Sequence, residues 1–101
     1  MSDFDFIQVN LTQAELWGQL AEEAAELAQA ALKMQRVYMT NNPPRKSLEE
    51  CMASVIEEHA DLALCFELLG WSDKDARKQV RKEKLARWAA GLRALLIERS
   101  Q

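Results

Sequence analysis

The chain has 101 residues, 49% apolar and 29% charged, with three Gly and two Pro, which suits a helical domain and excludes disorder or a β-rich fold. A formal net charge of −3 offers no overall attraction to nucleic acid or to a membrane surface. No basic-then-apolar leader opens the chain and no apolar run is long enough to span a bilayer, so a soluble cytoplasmic protein is expected.

In chain order, residues 1–11 alternate weakly between apolar and polar (Phe4, Phe6, Val9) and read as an N-terminal arm. Thr12 with Glu15 three residues later forms a capping box, opening a first helix that runs to about Met39. Leu16, Leu20, Leu27 and Ala31 make its apolar stripe, with Ala24 and Ala28 allowing a neighbour to approach closely. Asn41-Asn42-Pro43-Pro44 stops that helix, because the residue before each proline is pushed toward extended geometry. Residues 40–46 therefore form the inter-helix loop.

Ser47 and Glu50 form a second capping box, and Gly70 ends the second helix in left-handed geometry. The expected buried face of that helix is Leu48, Met52, Val55, Leu62, Phe66 and Leu69, with His59 on the same side. Ser72 or Asp73 caps a third helix reaching about Glu98, with an apolar side of Val80, Leu85, Trp88, Leu92, Leu95 and Leu96. Gly91 marks a point in it where the helix loosens or a neighbour packs closely. Cys51 and Cys65, about 21 Å apart along one helix, cannot bridge each other and read as small core residues in a reducing compartment. The expectation is a single all-α domain over residues 1–101. Three long helices in one layer leave apolar surface uncovered, so the bundle is completed by homo-oligomerisation as a dimer or tetramer.

One pattern recurs. Glu22-Glu23-Ala24-Ala25-Glu26-Leu27-Ala28 returns as Glu57-Glu58-His59-Ala60-Asp61-Leu62-Ala63, with the same internal spacing. Acidic helix faces are ordinarily solvated surface, but three features separate these from that reading. At about 100° per residue Glu23 borders the first helix's apolar stripe and Glu26 follows it, while Glu58 shares the angle of Cys51 and Cys65 with Asp61 further out. Those four carboxylates are therefore expected to be partly buried. Counter-charges are also missing: residues 1–32 and 47–73 contain no Lys or Arg, and nine of the 13 basic residues lie between Lys74 and Arg99. Finally, two matched sets on consecutive antiparallel helices can converge into an all-oxygen cage. Hard oxygen ligands without His or Cys select Mg²⁺, with Mn²⁺ as a substitute.

The Glu-Glu-x-x-Glu set followed by Glu-x-x-Asp on the next helix resembles the signature of the MazG-like all-α nucleoside triphosphate pyrophosphatases, relatives of the dimeric dUTPases. The likeness extends from about Gln19 into the third helix. It implies Mg²⁺ ligands at Glu23, Glu26, Glu58 and Asp61, auxiliaries at Glu22 and Glu57, and cleavage of the α–β bond of an NTP or dNTP. The gap from Glu26 to Glu58 is longer than the family's usual spacing. Lys84 matches the family's third-helix Lys, whereas Trp88 stands where an Asn is expected.

For that chemistry Glu22 or Glu26 is the candidate to orient the attacking water. Arg77, Arg81 and Lys84 share a helix face with Trp88 and are candidates to hold phosphates, with Trp88 available to stack on a base. Gln29 and Lys33 extend the acid face by one and two turns and are candidates to line the base pocket. Trp17 and Trp71 read as packing residues, and His59 as a neutral core or interface histidine. A di-iron bundle would need Glu-x-x-His pairs, which are absent. The competing non-enzyme reading is a helical interaction module, a degenerate homologue whose acids bind a basic partner.

Overall fold

Ser2, Thr12 and Ser47 each precede a helix and each accepts a hydrogen bond from the backbone N–H three residues on. These hydroxyls satisfy donors that a helix start leaves without partners. In the computed structural model, which describes residues 1–39 and 41–101, they open α1 (Asp3–Asn10), α2 (Gln13–Val37) and α3 (Leu48–Leu68), followed by α4 (Lys74–Ser100). The protein is all-helical, with no strand among the described residues. No helix is long and apolar enough to cross a membrane. The expected loop at residues 40–46 is non-helical from Asn41 to Lys46, and Thr40 lies outside the described residues.

The arm expected at residues 1–11 contains the short helix α1. Ser2 caps it, Asp3 and Asp5 lie in its first turn where the helix dipole favours them, and Asn10 Nδ2 donates back to the Phe6 carbonyl at 2.8 Å. All of its residues are exposed. Its tie to the rest is polar: Gln8 Nε2 donates to the Leu68 carbonyl at 3.0 Å, filling one of the free acceptors at the end of α3.

Both expected capping boxes are complete, Thr12 with Glu15 and Ser47 with Glu50. The Thr12 backbone N–H and hydroxyl hold the Glu15 carboxyl below its ordinary value. Gly70 has φ +67°, a conformation open to Gly without a Cβ penalty. Around it, Trp71 N–H donates to the Phe66 carbonyl and Gly70 N–H to the Glu67 carbonyl, the paired bonds of a Schellman motif. Trp71 is thereby delivered edge-on to Trp17 near the start of α2, with ring centroids 5.5 Å apart. Trp17 and Trp71 are packing residues of this turn, as expected.

The chain divides into two compact units, Met1–Trp71 and Ser72–Gln101. The first is organised by α2 packed on α3, with α1 on α3. Its seam runs along α2 at Leu16, Leu20, Glu23, Leu27, Ala30, Met34 and Val37, alternating steps of four and three residues as in a coiled-coil stripe. Along α3 it runs at Cys51, Ser54, Glu58, Asp61, Cys65 and Leu68. Of the expected faces, Leu16, Leu20 and Leu27 on α2 and Val55, Leu62, Phe66 and Leu69 on α3 and its C-cap are buried or half-buried, and the departures are few. Ala30 is buried rather than Ala31, Ala24 and Ala28 are exposed, and Leu48, Met52 and His59 lie outside the core. Cys51 and Cys65 are buried and free, as expected of core thiols.

The second unit is α4 alone. Asp73 occupies its cap position, but its side chain accepts no capping bond and instead lies 3.9 Å from Arg77 Nε. Val80, Leu85, Trp88, Leu92, Leu95 and Leu96 are all exposed, Trp88 at 76%. Nothing lies within 4 Å of where a Cβ on Gly91 would fall.

Candidate metal centre

The seam that buries Leu16 at one end of α2 carries carboxylates at its middle. Ala30 on α2 and Cys51, Ser54 and Cys65 on α3 lie buried or half-buried where the two helices pack, and Glu23, Glu58 and Asp61 fall on the same stripe and are half-buried. Glu26, one turn beyond Glu23, is exposed rather than half-buried, yet it still reaches Glu58 across the seam.

Two groups of carboxylates converge. Glu23, Glu26 and Glu58 bring one oxygen each to within 4.8 Å of one another, and so do Glu57, Glu58 and Asp61. Glu58 belongs to both. The four expected metal ligands are thus divided between two groups that share Glu58, with Glu57 in the second. Glu22 is exposed and belongs to neither group. Glu23 Oε1 accepts from Gln19 Nε2 at 2.8 Å, whereas Glu23 Oε2 and Glu58 Oε2 are buried without any hydrogen-bond partner.

The electrostatics follow from this crowding. For Glu23 the Gln19 amide favours the charged form, but desolvation and the Glu26 and Asp61 charges outweigh it and raise the carboxyl above its ordinary value of 4.5. Glu26 is also raised, first by the close approach of the Glu58 carboxyl and then by the Glu58 charge and desolvation. Like charges that close favour proton retention or a bound cation. Burial pushes the Cys65 thiol up, with Glu23 and Asp61 adding to the shift, and Cys65 belongs to neither convergent group.

The donor set fits a hard divalent cation. Two orphaned, buried carboxylate oxygens are costly without a partner, and a cation bound there would supply one. Carboxylate oxygens from two helices, without His or thiolate, are the ligand chemistry of Mg²⁺ or Mn²⁺.

Beside the carboxylates lies a cleft of about 410 Å³ lined by Glu26, Gln29, Ala30, Lys33, Lys46, Ser54, Glu57 and Glu58. Gln29 and Lys33 thus border the acid site, as their spacing suggested. Lys46 and Ser54 went unnoticed in the sequence. The signal for Lys46 was available: the Ser47 cap fixes it at the start of α3, and an antiparallel partner brings that point level with the far half of α2. Arg77, Arg81, Lys84 and Trp88 lie on α4 in the second unit, all exposed, with Arg77 and Arg81 bordering a groove together with Lys74, Asp75 and Lys78. Comparison with models of protein families, with curated proteins and with solved structures finds no match to this chain.

Proposed function

We propose that the protein is a Mg²⁺-dependent nucleoside triphosphate pyrophosphohydrolase of the MazG-like all-α kind. It takes an NTP or dNTP and water to the nucleoside monophosphate and pyrophosphate. The observation that carries the reading is the pair of buried, unpartnered oxygens, Glu23 Oε2 and Glu58 Oε2, inside converging carboxylate groups from two helices.

Glu23, Glu26, Glu58 and Asp61 hold the cation in this account, with Glu57 at the rim. Mg²⁺ bound there would neutralise phosphate charge and polarise a water for in-line attack at the α-phosphorus. The chain's own contribution is to position substrate and to accept a proton. Glu26 is favoured over Glu22 for orienting the attacking water, since it lies in the convergent group and is exposed to solvent. The bond from the α-phosphorus to the bridging oxygen breaks, and pyrophosphate leaves with it. Arg77, Arg81 and Lys84 remain the α4 candidates for phosphate and Trp88 for the base.

Self-association belongs to the same proposal. A solitary helix such as α4 is marginal in water, and its row of exposed apolar residues calls for a partner. A second copy, in a homodimer or tetramer, supplies one. Light scattering on the purified protein should give a mass at least twice the 11.5 kDa of one chain; a monomer at micromolar concentration would remove this part of the account. Two free buried thiols suit the reducing cytoplasm.

The activity is tested by pyrophosphate release from a panel of NTPs and dNTPs, with and without Mg²⁺. Turnover of at least one nucleotide, abolished by chelation, is expected. No turnover of any, at high protein concentration, would favour a helical interaction module instead.

A further inference from the structure

The first unit contains four basic residues, Lys33, Arg36, Arg45 and Lys46, and all four border one cleft of about 300 Å³ beside Pro44. That is the volume of a small-ligand site rather than of a macromolecular interface. No carboxylate lines it. Lys33 and Lys46 also line the acid cleft, so the two hollows share a wall and form one trough from carboxylates to cations.

Within their own hollow the cations have no carboxylate paired to them. The helical neighbours of Lys33 at three and four residues are Gln29, Ala30, Arg36 and Val37, none of them acidic. Among the described residues the one ion pair joins Arg77 to Asp73, so Lys33, Arg45 and Lys46 make no ion pair, although Lys33 and Lys46 share the acid cleft with Glu26, Glu57 and Glu58. Arg36 is committed otherwise. Its Nε donates to the Asn42 carbonyl at 2.9 Å, and its Nη2 to the Pro43 carbonyl at 3.1 Å and to Asn42 Oδ1 at 3.3 Å. These bonds tie the loop to the end of α2, and the Ser47 capping box ties the other end of the same segment to α3. Arg45 and Lys46 are therefore held at the trough by anchors on both sides. Clustered like charges on anchored backbone repel one another unless an anion lies between them.

We infer that Lys33, Arg45 and Lys46 form a polyphosphate subsite that takes the β- and γ-phosphates of the substrate and the pyrophosphate that leaves. This rests on the triphosphate reading above and adds a direction to it: the phosphate tail points from the carboxylates toward the loop. Arg36 is a positioning residue in this scheme, holding the loop without touching the anion.

The test is calorimetric titration of the full chain with inorganic pyrophosphate and with tripolyphosphate, in Mg²⁺, alongside NTP turnover. Lys33→Gln and Lys46→Gln should each weaken binding about tenfold, the scale of one charge-assisted hydrogen bond. Arg93→Gln on α4 should leave it unchanged. Circular dichroism is expected to stay native, since both lysines are exposed. If the wild type turns over an NTP while both variants bind pyrophosphate as tightly as it does, the subsite is refuted and the hydrolase reading survives. If no NTP is turned over but pyrophosphate still binds through Lys33 and Lys46, the subsite stands as an anion site and the hydrolase reading falls.

Discussion

Glu23→Gln is expected to lower turnover about a thousandfold while making the metal-free protein more stable than wild type. The loss follows because a ligand that fixes the cation contributes several decades of rate. The stability gain follows from the seam, where Glu23 is raised above its ordinary value by desolvation and by the Glu26 and Asp61 charges, against the Gln19 amide. A carboxyl whose folded value is raised takes up more protons folded than unfolded. Its destabilising effect is absent below about the ordinary 4.5 and grows as pH rises through the raised folded value. The stability difference between Glu23→Gln and wild type should therefore widen from pH 4 to pH 7 and shrink when Mg²⁺ is added. Glu15, held low by Thr12, has the opposite dependence in both proteins and cancels in that difference. Urea unfolding across pH measures it. A variant that is less stable than wild type at pH 7 without metal would show that the carboxylate is there for structure.

Leu16→Ala is expected to cost about 2–5 kcal/mol, the range for removing a fully buried leucine side chain. Leu16 is 1% exposed and, with Cys51, is one of the two side chains buried most completely. The core around it is small: Ala30, Cys51, Cys65 and Leu68 are its other buried members, three of them small residues. A loss of that size is a large part of the 5–15 kcal/mol typical of a domain. Val9→Ala, at 66% exposure on α1, should change stability by about 0.5 kcal/mol or less. Thermal unfolding followed at 222 nm compares them. Equal effects from the two substitutions would mean that the α2–α3 seam is not what holds the first unit together.

Local signals carried the helix ends. The boxes at Thr12/Glu15 and Ser47/Glu50 and the turn at Gly70 depend on residues within a few positions of each other, so chemistry and spacing suffice to read them. Ser2 with Asp5 carried a similar signal for α1, hidden by the weak alternation that read as an arm. Asp73 misled in the other direction, because the Arg77 guanidinium lies close to the carboxylate expected to cap α4.

Phase was harder to read than boundaries. Hydrophobicity points to Leu48 and Met52, the largest apolar residues early in α3, yet the helices meet on Cys51 and Ser54. Small side chains occupy those positions, and a scale that ranks residues by apolarity places them low. The acids rest on an electrostatic signal instead: Glu23, Glu58 and Asp61 are half-buried as expected, and Glu26 is exposed against expectation. Glu23, Glu26, Glu58 and Asp61 stand in segments without Lys or Arg, and that absence is visible in one dimension. The basic wall of the trough is a tertiary relation. Lys33 and Lys46 are thirteen residues apart across a proline loop, and only antiparallel packing of α2 on α3 brings both to the Glu26 cleft.

A divalent cation held by the seam carboxylates is what both the proposed hydrolysis and the polyphosphate subsite, as a site for the substrate's phosphates, require. Titration of the purified, chelator-treated protein with Mn²⁺, counting free ion by electron paramagnetic resonance, tests for it directly. The account predicts saturable binding that Mg²⁺ displaces and that Glu23→Gln and Glu58→Gln each abolish while the helices stay folded. Binding of equal strength in those variants, or no saturable binding by the wild type, would contradict it.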